Sequence, residues 1–336
     1  MIVKISLLVG LLFGSLFIGG ALPKNPVDMV STPDWVQSFE NEEYVISNYP
    51  EMIHAPGLIY KKIMPKKHLR FFYHHRNGSD SPFAIACTIQ NTGTKPAQIS
   101  LSKGKGGPNS DIIFAGHIAM KRFLKELTHQ PDHSLTIQPG KSKIISFHSL
   151  KPGLTSSGIL KISKQNEVPL HVTLEIIDPS LPQIIPNQYN YGAFSESKRT
   201  KNIHFDSRHI VHEIPIGGPP YLTDIKNGIF LKGNYGLLYQ LNISLYNSYS
   251  VPTKFKIYFT PKMGVDRGVF LIDDAFIETK VLHPNRGLGL EDIYNVILLP
   301  KEQKNLALYI MPQAGCYYPI HFILRSYKLE GAGIST

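Results

Sequence analysis

The densest run of ligand-type side chains is HFDSRHIVHE, which holds His204, Asp206, His209, His212 and Glu213. Imidazole nitrogens and carboxylate oxygens suit zinc or copper, so His204, His209, His212 and Glu213 are the candidate metal ligands. His209 and His212 share a face only if the segment is helical. The order is not H-E-x-x-H, where a glutamate between two histidines serves as general base. The segment reads instead as the approach to a strand, with His209 and His212 on opposite faces. Polar residues at the start of a domain then account for the run, and no bound metal or cofactor is expected.

A second run, HLRFFYHHRNGSD, interleaves His68, Arg70, His74, His75 and Arg76 with aromatic rings. That pattern can stack on and neutralise an acidic glycan or a nucleic acid. A strand with Leu69 and Phe71 on one face and Arg70 and Phe72 on the other explains most of it. A third run, SKGKGGPNSD (102–111), sets Lys103 and Lys105 among glycines just ahead of a helix. Those are the ingredients of an anion-holding loop, without the G-x-x-x-x-G-K-[ST] order of a nucleotide site. It reads as a solvated loop whose Lys103 and Lys105 can touch a polyanion. In GNYG, Gly233 and Gly236 bracket Asn234 and Tyr235 just before a strand. A tight turn with Tyr235 packed inward is the preferred reading, and an exposed tyrosine platform for a sugar ring is the other. Nucleophilic catalysis finds no G-x-S-x-G elbow. Cys87 and Cys316 read as separate small apolar side chains rather than as a disulfide or a thiolate.

The elements that carry these residues are mostly strands. PFAIACTIQ places Phe83, Ile85, Cys87 and Ile89 on one face, and PLHVTLEII does the same with Leu170, Val172, Leu174 and Ile176. That period of two, broken by NTGTKP and by Pro139-Gly140, describes half-buried antiparallel strands. The pattern resumes in GLLYQLNISLYN, TKFKIYF, NLALYIMP and IHFILRSY, with GVFLIDDAFIET as a hairpin turning at Asp273-Asp274. The spacing predicts two antiparallel, immunoglobulin-like β-sandwich domains in series, over 57–178 and 196–330. An extended arm (22–56) precedes them and a proline-rich linker (179–195) joins them. One amphipathic helix interrupts the first domain. FAGHIAMKRFLKEL (114–127) turns Phe114, Ile118, Leu124 and Leu127 inward and Lys121, Arg122 and Lys125 outward.

The segment KGNYGLLYQLNISLYN, followed by an alternating strand and DRGVFLIDD, resembles part of an uncharacterised family of proteins exported by bacteria, best represented in cyanobacteria. EEYVISNYPEMIHAPGLIY, FFYHHRN and IQNTGTKPAQI are similar to its first half. The resemblance implies export and a paired β architecture, and it brings no catalytic residue.

The N-terminus supports export independently. Residues 1–21 carry Lys4, an apolar run from Ile5 to Ile18, and small residues at Gly19 and Ala21, the pattern of a cleaved secretory signal peptide. The 336 residues carry a net charge of +10, and 42% are apolar, which excludes a disordered chain. The expected role is that of an exported, non-catalytic protein that binds or organises an anionic component of the cell envelope. A cell-wall polymer, an acidic glycan or an anionic lipid surface would serve as partner, and nucleic acid would not. Lys103, Lys105, Lys121, Arg122, Lys125 and Tyr235 are the candidate contacts. The alternative is an enzyme acting on envelope glycans or peptides at the interdomain cleft, with His209 or His212 as acid/base or metal ligand.

Overall fold

Along LYQLNISLY, Tyr239, Leu241, Ile243 and Leu245 are almost fully buried while the residues between them keep partial access to solvent. The computed structural model repeats this alternation through most of the chain. It describes residues 35–128, 134–180, 187–273, 275–284 and 289–329. The segment 1–21, expected to be a signal peptide, lies outside the described residues. So do 22–34 of the expected arm.

In chain order the strands begin with β1 (Val36–Ser38), β2 (Glu42–Ser47), β3 (Met52–Ile53), β4 (Gly57–Ile63), β5 (His68–Asn77), β6 (Phe83–Asn91) and β7 (Ala97–Asn109). The helix α1 (Ile112–Thr128) follows, then β8 (Ser134–Ile137), β9 (Ser142–Leu150), β10 (Thr155–Lys164) and β11 (Leu170–Ile177). Next come β12 (Asn187–Gln188), β13 (Gly192–Phe194), β14 (Lys198–Asp206), β15 (Val211–Ile216), β16 (Leu222–Thr223) and β17 (Phe230–Leu231). The described strands close with β18 (Leu238–Tyr246), β19 (Thr253–Pro261), β20 (Val269–Ile272), β21 (Ala275–Glu278), β22 (Glu291–Leu298), β23 (Gln303–Ile310) and β24 (Ile320–Lys328).

The central sheet runs β13-β2-β5-β10-β7-β8, with β3 also paired to β5. One of its faces meets the sheet β12-β4-β11-β6-β9 around a core that includes Phe71, Tyr73, Cys87 and Leu174. Its other face supplies Tyr44, Ile46, Phe72 and Ile159 to a second core. That core is completed by α1 and by the sheets β1-β14-β18-β23-β20-β21 and β15-β24-β19-β22. Among the described residues the fold is thus mostly β, in packed sheets with one helix.

Several expectations need correction. Strand β2 runs parallel to β5, and β14 runs parallel to β18, so the sheets are not antiparallel throughout. Alternation reports which face a residue occupies and carries no information about strand direction. The stretch expected to be an arm contributes β1 and the fully buried β2, and β13, from the expected linker, pairs with β2. The basic and aromatic run in β5 is not a surface: Arg70, His74 and His75 are buried because both faces of the central sheet are covered.

The expected loop 102–111 is largely the second half of β7, a strand crossed by α1. A Cβ at Gly104 would collide with the Ala119 carbonyl oxygen, and one at Gly106 with that of Ala115, so the glycines let the helix backbone lie on the strand. The inward face of α1 is consequently Ala115, His117, Ala119, Met120, Phe123 and Leu124, and the larger Phe114 and Leu127 are exposed. No helix among the described residues is long and apolar enough to cross a membrane.

Candidate functional site

The outer face of the sheet β15-β24-β19-β22 gathers cations and tyrosines in one plane. In β19, Phe255, Ile257 and Phe259 point into the core, which forces Lys254, Lys256 and Tyr258 to the outer face. The register then sets Lys254 opposite Tyr327, and Lys256 opposite Arg325, both from β24. Strand β15 adds Glu213, opposite Ile323, and Asp292 of β22 stands opposite Tyr258. Lys254 and Lys256 are two residues apart on one strand, about 7 Å along it.

The contacts within this face are aromatic as much as ionic. The Arg325 guanidinium lies 5.9 Å from the centroid of the Tyr258 ring and the Lys256 ammonium lies 5.6 Å from the same ring. The hydroxyls of Tyr258 and Tyr327 are 3.1 Å apart, and at the end of β24, off this face, the Lys328 ammonium lies 4.0 Å from the ring of Tyr249 in the loop before β19. Two carboxylates are engaged. Asp292 holds Lys256 at 2.7 Å, a contact that raises the lysine pKa. Glu213 accepts from Lys262 at 3.1 Å and pairs with His321 Nδ1 at 2.8 Å. Burial pushes the Glu213 carboxyl up, and these two bonds more than offset it, leaving its pKa below the ordinary value. Among the described residues Lys254, Arg325 and Lys328 form no ion pair. Cations over rings and without counter-charges are free to attract an anionic polymer while the tyrosines offer it flat contact.

The histidine run is dispersed. His204 lies on a different sheet, stacked on Tyr246 with ring centroids 6.4 Å apart. His209 sits in the turn before β15, where its carbonyl accepts from Ser326. His212 is half-buried, its Nε2 lacks a hydrogen-bond partner, and burial lowers its pKa, with Lys201 and His209 adding to the effect. Glu213, next along the strand, points the other way and joins the basic face. Among the described residues no three His, Cys, Asp or Glu side chains are grouped to hold a metal ion. A strand separates neighbours that a helix could have brought together.

Of the other candidate contacts, all but Lys103, which is half-buried in β7, are engaged within the fold. Lys105 donates to the Phe147 carbonyl at 2.7 Å, and burial lowers its pKa, followed in effect by Lys103. Lys121 is ion-paired with Glu278, Arg122 donates to the Lys105 carbonyl at 2.6 Å, and Lys125 lies 5.6 Å from the Phe276 ring. Tyr235 is half-buried. Its hydroxyl donates to the Cys316 carbonyl at 2.9 Å, and its ring meets Tyr318 edge-on. The flanking turn is built around Asn234 (φ 47°), whose amide donates to the Gly218 carbonyl at 3.0 Å and accepts from the Leu222 amide at 2.7 Å. GNYG is therefore a clamped turn. Cys87 and Cys316 are both buried and unpaired.

Sequence reasoning placed Lys254, Lys256 and Tyr258 outward but did not single them out, and it missed Arg325, Tyr327 and Lys328. The signal was present in TKFKIYF and LRSYK, where Lys254, Lys256 and Tyr258 share one phase of β19 and Arg325 and Tyr327 one phase of β24, with Lys328 in the other phase at the strand's end.

No protein-family model matches the chain, and no curated protein matches it. Among solved structures, Lac15 from a marine microbial metagenome aligns at 9% identity over 89% of this chain and 64% of that one, with a TM-score of 0.16. Tripeptidyl Peptidase 2 (TPP II) aligns at 11% identity over 83% of this chain and 22% of its own, with a TM-score of 0.20. An anti-sigma factor domain-containing protein from Clostridium clariflavum aligns at 10% identity, covering 77% of this chain and 79% of its own, with a TM-score of 0.18. The chain thus spans less than two thirds of the first two. Likeness at this level carries no argument about fold or activity.

Proposed function

We propose that the protein is exported and binds, without catalysis, an anionic polymer of the cell envelope through the outer face of the sheet β15-β24-β19-β22. The observation that carries this reading is the pair Lys254 and Arg325 on that face, without ion pairs among the described residues and with Arg325 backed by the Tyr258 ring, while Lys328, over Tyr249, adds charge at the end of β24. Charge on a flat sheet gives reach over an extended partner, and the rings supply contact that salt does not screen. The proposal includes two immunoglobulin-like sandwiches as the frame, supported by the two cores on either side of the central sheet. It also includes membership of the exported family that GNYGLLYQLNISLYN resembles.

The test is co-sedimentation with isolated envelopes, and with polygalacturonate as a defined polyanion, across a salt series. Saturable binding that weakens with salt and is lost in the double variant Lys254→Glu/Arg325→Glu is the expected result. Binding that the double variant leaves unchanged, or no binding at low salt, overturns the reading. Retention on phosphatidylglycerol vesicles but not on the polyanion would replace the polymer with a lipid surface.

A further inference from the structure

A groove forms where the turn after β2 approaches the loop between β16 and β17. The groove there has a volume of about 430 Å³, within the range of small-molecule sites. Its lining includes Tyr49, 75% exposed, and Phe230, 61% exposed, together with Asn48, Asn190 and Asn227. Two exposed rings beside neutral amides give the groove both flat apolar surface and hydrogen-bonding groups.

The two charged groups of the groove each bond to the protein's own backbone. Asp224 Oδ1 accepts from the Lys226 amide at 2.9 Å and the Ala193 amide at 3.4 Å, fastening the loop to the edge of β13. The Lys226 ammonium donates to the Tyr191 carbonyl and sits 3.5 Å from the Tyr191 ring centroid. What remains for a ligand is aromatic surface plus amide donors and acceptors. The Asn48 and Asn190 side chains have no hydrogen bond among the described residues, and Asn227 spends only its oxygen, on the Ile229 amide at 3.0 Å.

We propose that this groove is a saccharide site that takes a neutral pyranose ring. The apolar face of such a ring stacks on Tyr49 or Phe230, and its equatorial hydroxyls reach the amides of Asn48, Asn190 and Asn227. The ammonium of Lys226 is drawn onto the Tyr191 ring and carbonyl and the Asp224 carboxylate onto backbone amides, so ring faces and amides make up most of what the groove offers, and the site does not depend on the basic face.

Calorimetric titration of the protein with cellohexaose, chitohexaose and maltohexaose tests the proposal. At least one of these neutral oligosaccharides should bind, with an affinity that salt does not change. Tyr49→Ala and Phe230→Ala should each weaken that binding about tenfold or more, and Lys254→Glu/Arg325→Glu should leave it unchanged. Both aromatic side chains are largely exposed, so their loss should leave the melting temperature unchanged and the comparison valid. The proposal is overturned if none of the three binds, or if binding is indifferent to Tyr49 and Phe230. It is also overturned if decanoate binds in their place and is lost in the same variants, which would make the groove a lipid site.

Discussion

The Arg70 guanidinium and the Glu42 carboxylate meet at 3.2 Å in the interior, between the parallel strands β5 and β2, and both are almost fully buried. Arg70 also donates to the Ser197 carbonyl at 2.9 Å and lies 4.7 Å from the Tyr44 ring centroid, while Lys161 approaches Glu42 at 3.5 Å. Removing one partner strands the other charge away from water. Glu42→Ala should therefore cost about 3–5 kcal/mol of stability, measured by denaturant unfolding. The double replacement Glu42→Leu/Arg70→Met should cost clearly less than Glu42→Ala alone, because no lone buried charge is left.

The close approach of α1 to β7 gives a steric counterpart. Gly106→Ala places a methyl group against the Ala115 carbonyl, where only backbone can give way, and should destabilise by about 1–3 kcal/mol. Gly140→Ala meets nothing within 4 Å and is penalised only by its positive φ of 70°, at about 1 kcal/mol. Thermal unfolding of the two variants should rank Gly106→Ala as the worse. The reverse order would mean that the helix does not rest on those glycines.

These two relationships also mark where the sequence stops being legible. The polar and apolar phases of β18 and β19 can be read directly, because one face of each strand is buried and the other is not. In β5 the same logic fails: Arg70 and His74 occupy a polar phase that a second layer covers, and nothing local announces that layer. The inward face of α1 was misjudged for a related reason. Small side chains, Ala115 and Ala119, make the close contact, while the large Phe114 and Leu127 stay outside. For the candidate site, the outward phase of TKFKIYF was readable but its partners were not. Lys254 meets Tyr327 only through strand register, which alternation cannot supply.

Asp266 should make stability fall as pH rises from about 4 to about 8. Its side chain is fully buried and neither oxygen has a hydrogen-bond partner among the described residues. Burial pushes its carboxyl up to about 8, and the Cys316 thiol and the Arg267 amide counter only part of that. The unfolded chain loses this proton near pH 4 and the folded chain keeps it to about pH 8, so stability declines across that window as pH rises. Asp266→Asn should raise the melting temperature, with no gain below pH 4 and the largest gain above pH 8, roughly 5 kcal/mol at most. A gain independent of pH would contradict this account.

His148 acts in the opposite direction. It is buried, with Nδ1 3.0 Å from the Tyr73 hydroxyl, and burial lowers its pKa to about 4. The unfolded chain takes up this proton near 6.5 and the folded chain does not until about 4, so acidification through that window destabilises the fold. His148→Gln should flatten the difference between stability at pH 7 and at pH 4, by roughly 3 kcal/mol at most. Urea unfolding at the two pH values would show it. An unchanged difference would mean that His148 is not held neutral.

On the basic face, the contrast between Lys254 and Lys256 separates attraction by net charge from attraction by lysine count. Lys256 is held at 2.7 Å by Asp292, so an approaching polyanion must compete with a neighbour that already neutralises it. Lys254 has no ion pair among the described residues and faces a tyrosine across the sheet. Lys254→Ala should consequently weaken polygalacturonate binding more than Lys256→Ala does. Asp292→Asn, which releases Lys256 from its partner, should strengthen it. All three changes lie at an accessible face and should alter folding stability by no more than about 0.5–1 kcal/mol. The differences among them should shrink together as salt is added, since exposed charges are screened over about 10 Å at 0.1 M. Equal losses for the two lysines, or no gain from Asp292→Asn, would remove this face as the site of binding.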